Sequence, residues 1–251
     1  MNCNSEILID KFKEIAKKRW IPSVNNNSNG VGLTFEKLLN KSPDSMFFPD
    51  YQGIEIKCTT RFSRYPISLF SKSFDGPSFF EMNRLVNTYG IEDNIYKGRK
   101  ILMTNLKVNE KISINNNYYF ELKIDKKKEK IYINIYDNNN KLIENEPYIS
   151  FNSLKEHLEV KLTNLAIVYA SKKEIDGKIN YRYYKMCIYK LISFDKFIEL
   201  LENNIIKTSI IGRVSRSGNE EGRQRNKNLL FQIPKENITD LFNNITTIDL
   251  G

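Results

Sequence analysis

One segment, residues 47–60, constrains the fold more than any other part of the chain. It alternates apolar and polar residues on both sides of Tyr51-Gln52-Gly53, a pattern typical of two short strands joined by a tight turn. Alternate side chains of a strand point to opposite faces. The apolar residues of the second strand are therefore expected to face a core: Ile54, Ile56 and Cys58. Glu55 and Lys57 are expected to share the opposite face.

Asp50 supplies a second carboxylate to this segment. Because Gly53 permits a tight reversal, the chain is expected to bring Asp50 back towards Glu55. The ammonium group of Lys57 would then join two carboxylates at one spot. Hard oxygen ligands suit Mg²⁺, which keeps several waters and accepts phosphate oxygens. The pattern predicts phosphodiester hydrolysis with Asp50 and Glu55 as metal ligands, while Lys57 orients the attacking water or stabilises the transition state.

A plainer interpretation is a surface hairpin with an ordinary Glu–Lys pair, which adds little stability. Glu-x-Lys alone carries little information in a chain with 39 lysines and arginines. The preceding Pro49-Asp50 and the apolar alternation favour the catalytic interpretation. The single histidine, His157, lies beside the apolar stripe of a predicted helix. Its isolation argues against Ser-His-Asp hydrolysis and histidine–metal nucleases.

The formal net charge of +9 favours a polyanionic partner, because neutralising phosphates releases counterions; simple solubility is the alternative. No apolar run approaches the ~20 residues that cross a bilayer. Residues 1–20 alternate charged and apolar side chains, as a helix does and a signal peptide does not. Three scattered cysteines argue against a disulfide framework or zinc site and favour a cytoplasmic location: Cys3, Cys58 and Cys187.

Helical and strand patterns follow one another along the chain, which predicts an α/β fold with a central mixed sheet. Helices are predicted at residues 5–18, 34–40 and 153–162, after Ser78 and after Ser193. Strands are predicted at residues 67–70, 112–135 (a meander), 165–170, 181–189, 205–214 and 229–233, with a hairpin turn at Asp176-Gly177.

The motifs occur in an order that resembles a known enzyme family. Asn29–Leu39 precedes Pro49-Asp50 and Glu55-Ile56-Lys57, and the latter two are similar to the PD-(D/E)XK nuclease motif. The combination resembles the MvaI/BcnI family of type II restriction endonucleases, relatives of the mismatch-repair nickase MutH. The likeness continues through Leu69–Ser73 and the helix near Arg84, and more diffusely through residues 148–162 and 210–218.

The resemblance implies a PD-(D/E)XK restriction-endonuclease-like core whose central mixed sheet is flanked by helices. It places this catalytic core with its N-terminal helices at residues 1–160 and a DNA-recognition lobe, packed against it, at residues 161–251. It also implies that Glu36 joins the catalytic cluster; an exposed residue near a helix N-terminus is the alternative. Two further DNA contacts are expected, Arg84 by resemblance and Lys72 just beyond the catalytic strands. A solvated lysine is the alternative for Lys72.

A basic segment between the last long strands is the candidate for base recognition: Arg213, Arg216, Arg223, Arg225, Asn226 and Lys227. Arginine offers a bidentate fork to guanine, asparagine does so for adenine, and lysine more often contacts phosphate. A solvated charged loop is the alternative. Family members carry histidine and aspartate in the part that corresponds to Gln224–Asn228, and this chain has neither there.

The function expected from these features is that of a Mg²⁺-dependent type II restriction endonuclease. It would cut double-stranded DNA at a short site, CCNGG-like by resemblance, as a cytoplasmic monomer paired with a cognate DNA methyltransferase. No membrane association is expected. A MutH-like strand-specific nickase and a non-catalytic nucleic-acid-binding protein are the alternatives.

Overall fold

The computed structural model describes residues 3–40 and 49–251. The start of the predicted hairpin, Phe47 and Phe48, lies outside these residues. The chain divides into two compact units, each assembled from separate stretches. Unit 1 comprises residues 1–67, 158–193 and 235–251, and unit 2 comprises residues 68–157 and 194–234.

The described residues form six α-helices and fifteen β-strands. The helices are α1 (Cys3–Lys17), α2 (Gly30–Leu38), α3 (Glu81–Tyr89), α4 (Phe151–Leu162), α5 (Phe194–Glu202) and α6 (Ile238–Leu241). The strands are β1 (Ile21–Pro22), β2 (Glu55–Thr60), β3 (Ile67–Lys72), β4 (Ile91–Glu92), β5 (Lys100–Leu106), β6 (Ile112–Ile114), β7 (Tyr118–Asp125), β8 (Lys130–Asp137), β9 (Leu142–Glu144), β10 (Tyr148–Ser150), β11 (Asn164–Ile175), β12 (Lys178–Leu191), β13 (Lys207–Val214), β14 (Gln224–Ile233) and β15 (Phe242–Asp249). Within residues 3–40 and 49–251, no helix is both long and apolar enough to cross a membrane.

Unit 1 is built on a mixed sheet, as the sequence predicts. The strand order is β1-β12-β11-β2, and β15 pairs with the C-terminal half of β12. Strand β2 runs parallel to β11, with Glu55 opposite Leu165, whereas β11 and β12 form an antiparallel hairpin. The predicted turn at Asp176-Gly177 is confirmed, since both residues have positive φ angles, 50° and 71°.

Helices α1 and α2 pack on the core of this sheet. The apolar stripe of α1 is buried: Leu8, Phe12 and Ile15. Helix α2 begins at Gly30, four residues before the predicted start at Thr34. Gly30 lies close to the preceding loop, where a Cβ atom would be 2.9 Å from the carbonyl oxygen of Asn25. A tightly packed glycine thus begins the helix earlier than the sequence pattern predicts.

Unit 2 contains two sheets. One has the order β10-β8-β7-β6 with β9 beside β8, and its central strands confirm the predicted meander at residues 112–135. The other has the order β3-β14-β13-β5-β4. Helix α3, predicted after Ser78, buries Met82, Leu85 and Val86, and Gly90 follows its last residue.

Two features differ from the sequence-based expectation. Strand β14 begins at Gln224, so residues 224–228 are strand residues and the prediction of a loop there is wrong. The β13–β14 ladder continues beyond a bulge after Ile211 and pairs Arg213 with Arg225. The two units also do not follow a division at residue 160, which falls inside α4. Strand β2 pairs with β11, which is distant in sequence, so separate stretches of the chain form one unit.

Candidate active site

A tight turn carries Asp50 back to strand β2. The backbone groups of Tyr51 and Ile54 exchange two hydrogen bonds of 2.9 Å, and Gly53 adopts a φ of 82°. This conformation is accessible to glycine at little cost. The backbone N–H of Ile56 then donates to Asp50 Oδ2 at 3.0 Å. The predicted reversal is confirmed, and Asp50 is attached directly to the strand that carries Glu55.

Glu55 is the most buried charged residue of the segment, with 1% of its surface exposed. Lys57 Nζ donates to Glu55 Oε1 at 2.5 Å. A second ammonium group, Lys161 Nζ on α4, lies 3.6 Å from the same oxygen. Glu55 Oε2 is buried and accepts no hydrogen bond within the described part of the chain. Glu55 is therefore neutralised through one oxygen, while the other lacks a partner.

The charges around Glu55 act in opposite directions. Burial raises the pKa of the Glu55 carboxyl, the positive charge of Lys57 lowers it, the negative charge of Asp50 raises it, and Lys161 lowers it further. Burial also raises the pKa of the neighbouring Cys58 thiol, and the carboxylates of Glu36 and Asp50 add to that increase. Glu36 and Asp50 are therefore close enough to the middle of β2 to influence the same side chain.

Tyr183 on β12 anchors the helix that carries Glu36. Its buried hydroxyl donates to the backbone carbonyl of Val31 at 2.7 Å, and its ring centre lies 5.0 Å from that of Phe35. Both partners belong to α2. Glu36, on the same helix, is half-buried. The sequence-predicted catalytic residues thus all belong to unit 1, on α2, the turn and β2.

The oxygen donors of this site fit a hard divalent cation held by few protein ligands. In residues 3–40 and 49–251, no three His, Cys, Asp or Glu side chains are grouped closely enough to hold a metal ion. The predicted ligands are instead a pair, Asp50 and Glu55. Mg²⁺ is commonly bound by one or two carboxylates, with waters and substrate phosphate as its other ligands. The partnerless Glu55 Oε2 is an oxygen that such an ion would satisfy.

Three residues expected to contact DNA have acidic partners within unit 2. Lys72 Nζ donates to Asp75 at 2.7 Å. Arg84 binds Glu81 and Glu144, and Arg216 binds Asp93. Asp75 and Glu81 lie three residues from their partners, whereas Glu144 and Asp93 are distant along the chain and cannot be identified as partners from the sequence pattern.

The remaining basic candidates line the β13–β14 pair. Arg225 lies directly opposite Arg213, and Lys227 follows one strand repeat later on the exposed face of β14. Desolvation lowers the pKa of the Lys227 ammonium, and the charges of Arg213 and Arg225 lower it further. Three cations near one another form a surface that would favour an anion. Arg223 is 70% exposed and pairs with Glu220, while the side chain of Asn226 donates to that of Asn83.

Comparison with known proteins identifies the family. The MvaI/BcnI restriction endonuclease family model matches residues 9–242. The solved structure of the MvaI–cognate DNA substrate complex is similar to this protein, with 27% identity and a TM-score of 0.90, over 100% of both chains. The structure of MvaI in the absence of DNA has 25% identity and a TM-score of 0.60, over 99% of this chain and 98% of the other. Among the curated proteins compared, none matches. Because the family match covers nearly the whole chain, the protein belongs to the MvaI/BcnI restriction endonuclease family and is a site-specific deoxyribonuclease.

Proposed function

We propose that this type II restriction endonuclease cleaves DNA at the site formed by Glu36, Asp50, Glu55 and Lys57. Enzymes of this family generally depend on a divalent metal, and we infer Mg²⁺ held by Asp50 and Glu55. The observation that carries the proposal is Glu55 Oε2, a buried carboxylate oxygen without a hydrogen-bond partner among the described residues. Such an atom is costly to keep unless a ligand satisfies it.

The side chains have separate roles in the proposed hydrolysis. A bound Mg²⁺ supplies Lewis-acid chemistry, acidifying water and neutralising charge on the phosphate. Asp50 is held in place by the Ile56 N–H, which fixes the position of one carboxylate relative to β2. Glu55 offers Oε2, because Lys57 engages Oε1. Lys57, with its side chain 24% exposed, is accessible to donate to the attacking water or to a phosphate oxygen.

Glu36 adds a third carboxylate to this region. It lies on α2, which Tyr183 anchors to the sheet. Its negative charge acts on Cys58, one residue beyond Lys57. We therefore assign Glu36 to the catalytic cluster as a supporting carboxylate rather than as a metal ligand.

Double-stranded DNA is the proposed substrate. The solved MvaI complex contains its cognate DNA. Here the cationic strand pair carries Arg213, Arg225 and Lys227, with Arg223 and Asn226 beside them. Phosphates would neutralise the mutually repelling cations, and arginine forks suit guanine edges. Because no histidine or aspartate lies within Gln224–Asn228, we expect a target that differs in detail from CCNGG.

Three further assignments complete the proposal. The enzyme would act as a monomer on a pseudo-symmetric site, and a cognate DNA methyltransferase would protect the host genome. A cytoplasmic location is consistent with free thiols at Cys58 and Cys187.

The test is incubation of a sequenced plasmid with enzyme and Mg²⁺, an EDTA control, and run-off sequencing of the products. Discrete, metal-dependent ends are expected. Asp50→Ala and Lys57→Ala should abolish cleavage while DNA binding persists. Asp10→Ala, an exposed acidic residue on α1, is the matched control and should cleave like wild type. Full activity in either site variant would remove the assignment.

The same experiment separates the alternative functions. A product that stays nicked with time and excess enzyme would indicate a strand-specific nickase. Salt-dependent DNA binding without cleavage, on methylated and unmethylated DNA, would indicate a non-catalytic binding protein.

A further inference from the structure

Lys161, in the last turn of α4, brings a second ammonium group to Glu55. The side chain is only 18% exposed, and its Nζ lies 3.6 Å from Glu55 Oε1. The backbone fixes this position, because α4 leads directly into β11, whose Leu165 pairs with Glu55. The neighbouring Leu158 and Leu162 are fully buried and hold this end of the helix in the core.

Two lysines therefore share one carboxylate oxygen. Lys57 lies at hydrogen-bond distance, 2.5 Å, whereas Lys161 is within ion-pair range but beyond a hydrogen bond. Glu55 Oε2 is left without a partner in the described residues, and the proposed function assigns this oxygen to the metal. Lys57 is therefore the nearer cation of Oε1, and Lys161 is a second cation about one ångström farther away.

This duplication matters because Lys57 has two competing tasks. In the proposed function it must donate to the attacking water or the phosphate, yet here it is the hydrogen-bonded partner of a carboxylate with 2% side-chain exposure. A buried carboxylate that loses its cation is strongly destabilised. Even with a metal at Oε2, Lys57 would without Lys161 be the only cation at Oε1, and Glu55 would hold Lys57 back from the substrate.

We propose that Lys161 is a positioning residue that takes over Glu55 Oε1 when Lys57 turns towards the scissile phosphate. This inference rests on the proposed roles of Glu55 and Lys57. A movement of about 1 Å would bring Lys161 Nζ to the ~2.8 Å typical of a charge-assisted hydrogen bond. The flexible four-carbon stem of lysine allows such a movement. Glu55 then remains oriented while Oε2 faces the metal.

The kinetic test compares single-turnover cleavage by wild type, Lys161→Met and Lys161→Arg at saturating enzyme and Mg²⁺. Loss of the charge in Lys161→Met should lower the rate about 10- to 100-fold, as for other groups that orient metal ligands. DNA affinity measured without metal should stay within about twofold, since Lys161 acts through Glu55. Lys161→Arg should recover part of the rate. Lys155→Ala, an exposed lysine on the same helix, is the control and should match wild type.

A second readout does not depend on cleavage. The midpoint of thermal unfolding is measured without metal for wild type, Lys161→Met, Glu55→Gln and the double variant. Lys161→Met should lower the midpoint more in the wild-type background than in Glu55→Gln, because the two side chains interact directly. Equal losses in both backgrounds would show that Lys161 stabilises something other than Glu55 and would overturn the proposal.

The outcomes separate this inference from the proposed function. If Asp50→Ala and Lys57→Ala abolish cleavage but Lys161→Met cleaves at the wild-type rate, only the role of Lys161 is rejected. If Asp50→Ala and Lys57→Ala retain full activity, the active-site assignment is rejected, and the role of Lys161 is rejected together with it. Coupling in unfolding without any effect on the rate would reduce Lys161 to a structural partner of Glu55, which also overturns the inference.

Discussion

Arg216 donates two hydrogen bonds to Asp93, from Nη1 to Oδ1 at 2.8 Å and from Nη2 to Oδ2 at 2.5 Å. The Asp93 side chain is fully buried and also accepts from the backbone N–H groups of Ile95 and Tyr96. An arginine expected to read DNA therefore closes a hydrogen-bond network inside unit 2. Its contribution to stability can be measured separately from any contact with DNA.

Arg216→Ala should lower the midpoint of thermal unfolding, because it leaves the buried Asp93 carboxylate without its cation. Arg223→Ala is the matched control, since Arg223 is 70% exposed and pairs only with the exposed Glu220 among the contacts that the structure describes. Removing an exposed pair of this kind has little effect on stability. Circular dichroism melts of both variants check the difference, and equal midpoints would contradict it.

The same pair predicts a pH dependence. Hydrogen bonds from Arg216 hold the pKa of Asp93 well below its usual range. A carboxyl whose pKa is lowered by folding adds stability above its unfolded pKa, about 3.9, and this stability is lost as the pH falls towards the folded pKa. In urea unfolding, the free energy of unfolding of wild type should therefore exceed that of Asp93→Asn by the same amount at pH 7 and at pH 5. The difference should shrink near pH 3; a gap independent of pH would reject the ionised pair.

Arg84→Ala should destabilise the protein even without DNA. Arg84 Nε donates to Glu81 Oε1 at 2.9 Å, and Nη1 donates to Glu144 at 3.2 Å. Because Glu81 is fully buried, loss of its partner should lower the free energy of unfolding by roughly 1–3 kcal/mol. Lys97→Ala, an exposed substitution in the same unit, should cost little. If Arg84→Ala has wild-type stability but binds DNA more weakly, Arg84 contacts DNA and does not stabilise the fold.

Arg225→Ala and Lys227→Ala should weaken DNA binding without lowering stability, because both side chains are exposed on β14 and lie among like charges. A lost base contact should cost ~1–3 kcal/mol, and a lost phosphate contact should reduce the salt slope of binding by about 1. Fluorescence anisotropy over a range of salt concentrations distinguishes the two. Lys207→Ala, exposed on the neighbouring β13, is the control; if all three variants bind like wild type, the interface lies elsewhere.

The catalytic segment could be predicted because its geometry is local. Strand alternation and one glycine determine how Asp50 and Glu55 approach each other, and both act within a few residues. The burial of Glu55 could not be predicted in this way, since it depends on the parallel pairing of β2 with β11. The same pairing brings in Lys161, whose sequence context is an ordinary helix of alternating charges.

Long-range partners explain the other differences. Arg84 and Arg216 look like free basic residues in the sequence, and only the fold supplies Glu144 and Asp93. The early start of β14 has a similar cause, because pairing with β13 extends a strand into polar residues that by themselves resemble a loop. Local patterns thus predicted the geometry of residues 50–57 better than which basic side chains have acidic partners.

Tyr183→Phe should test whether the placement of α2 affects catalysis. The Tyr183 hydroxyl donates to the Val31 carbonyl, and burial raises its pKa, so the phenol remains a donor at physiological pH. Without it, the Val31 carbonyl keeps only the hydrogen bond that the helix itself provides, and loss of this second bond should cost ~0.5–1.5 kcal/mol in urea unfolding. Because Val31 lies on the helix that carries Glu36, the single-turnover cleavage rate should also fall, at temperatures where the variant is fully folded. Tyr184→Phe, the next residue on β12 and half-buried, should retain both stability and rate. If Tyr183→Phe loses stability yet cleaves at the wild-type rate, the hydroxyl stabilises the fold and Glu36 does not depend on it.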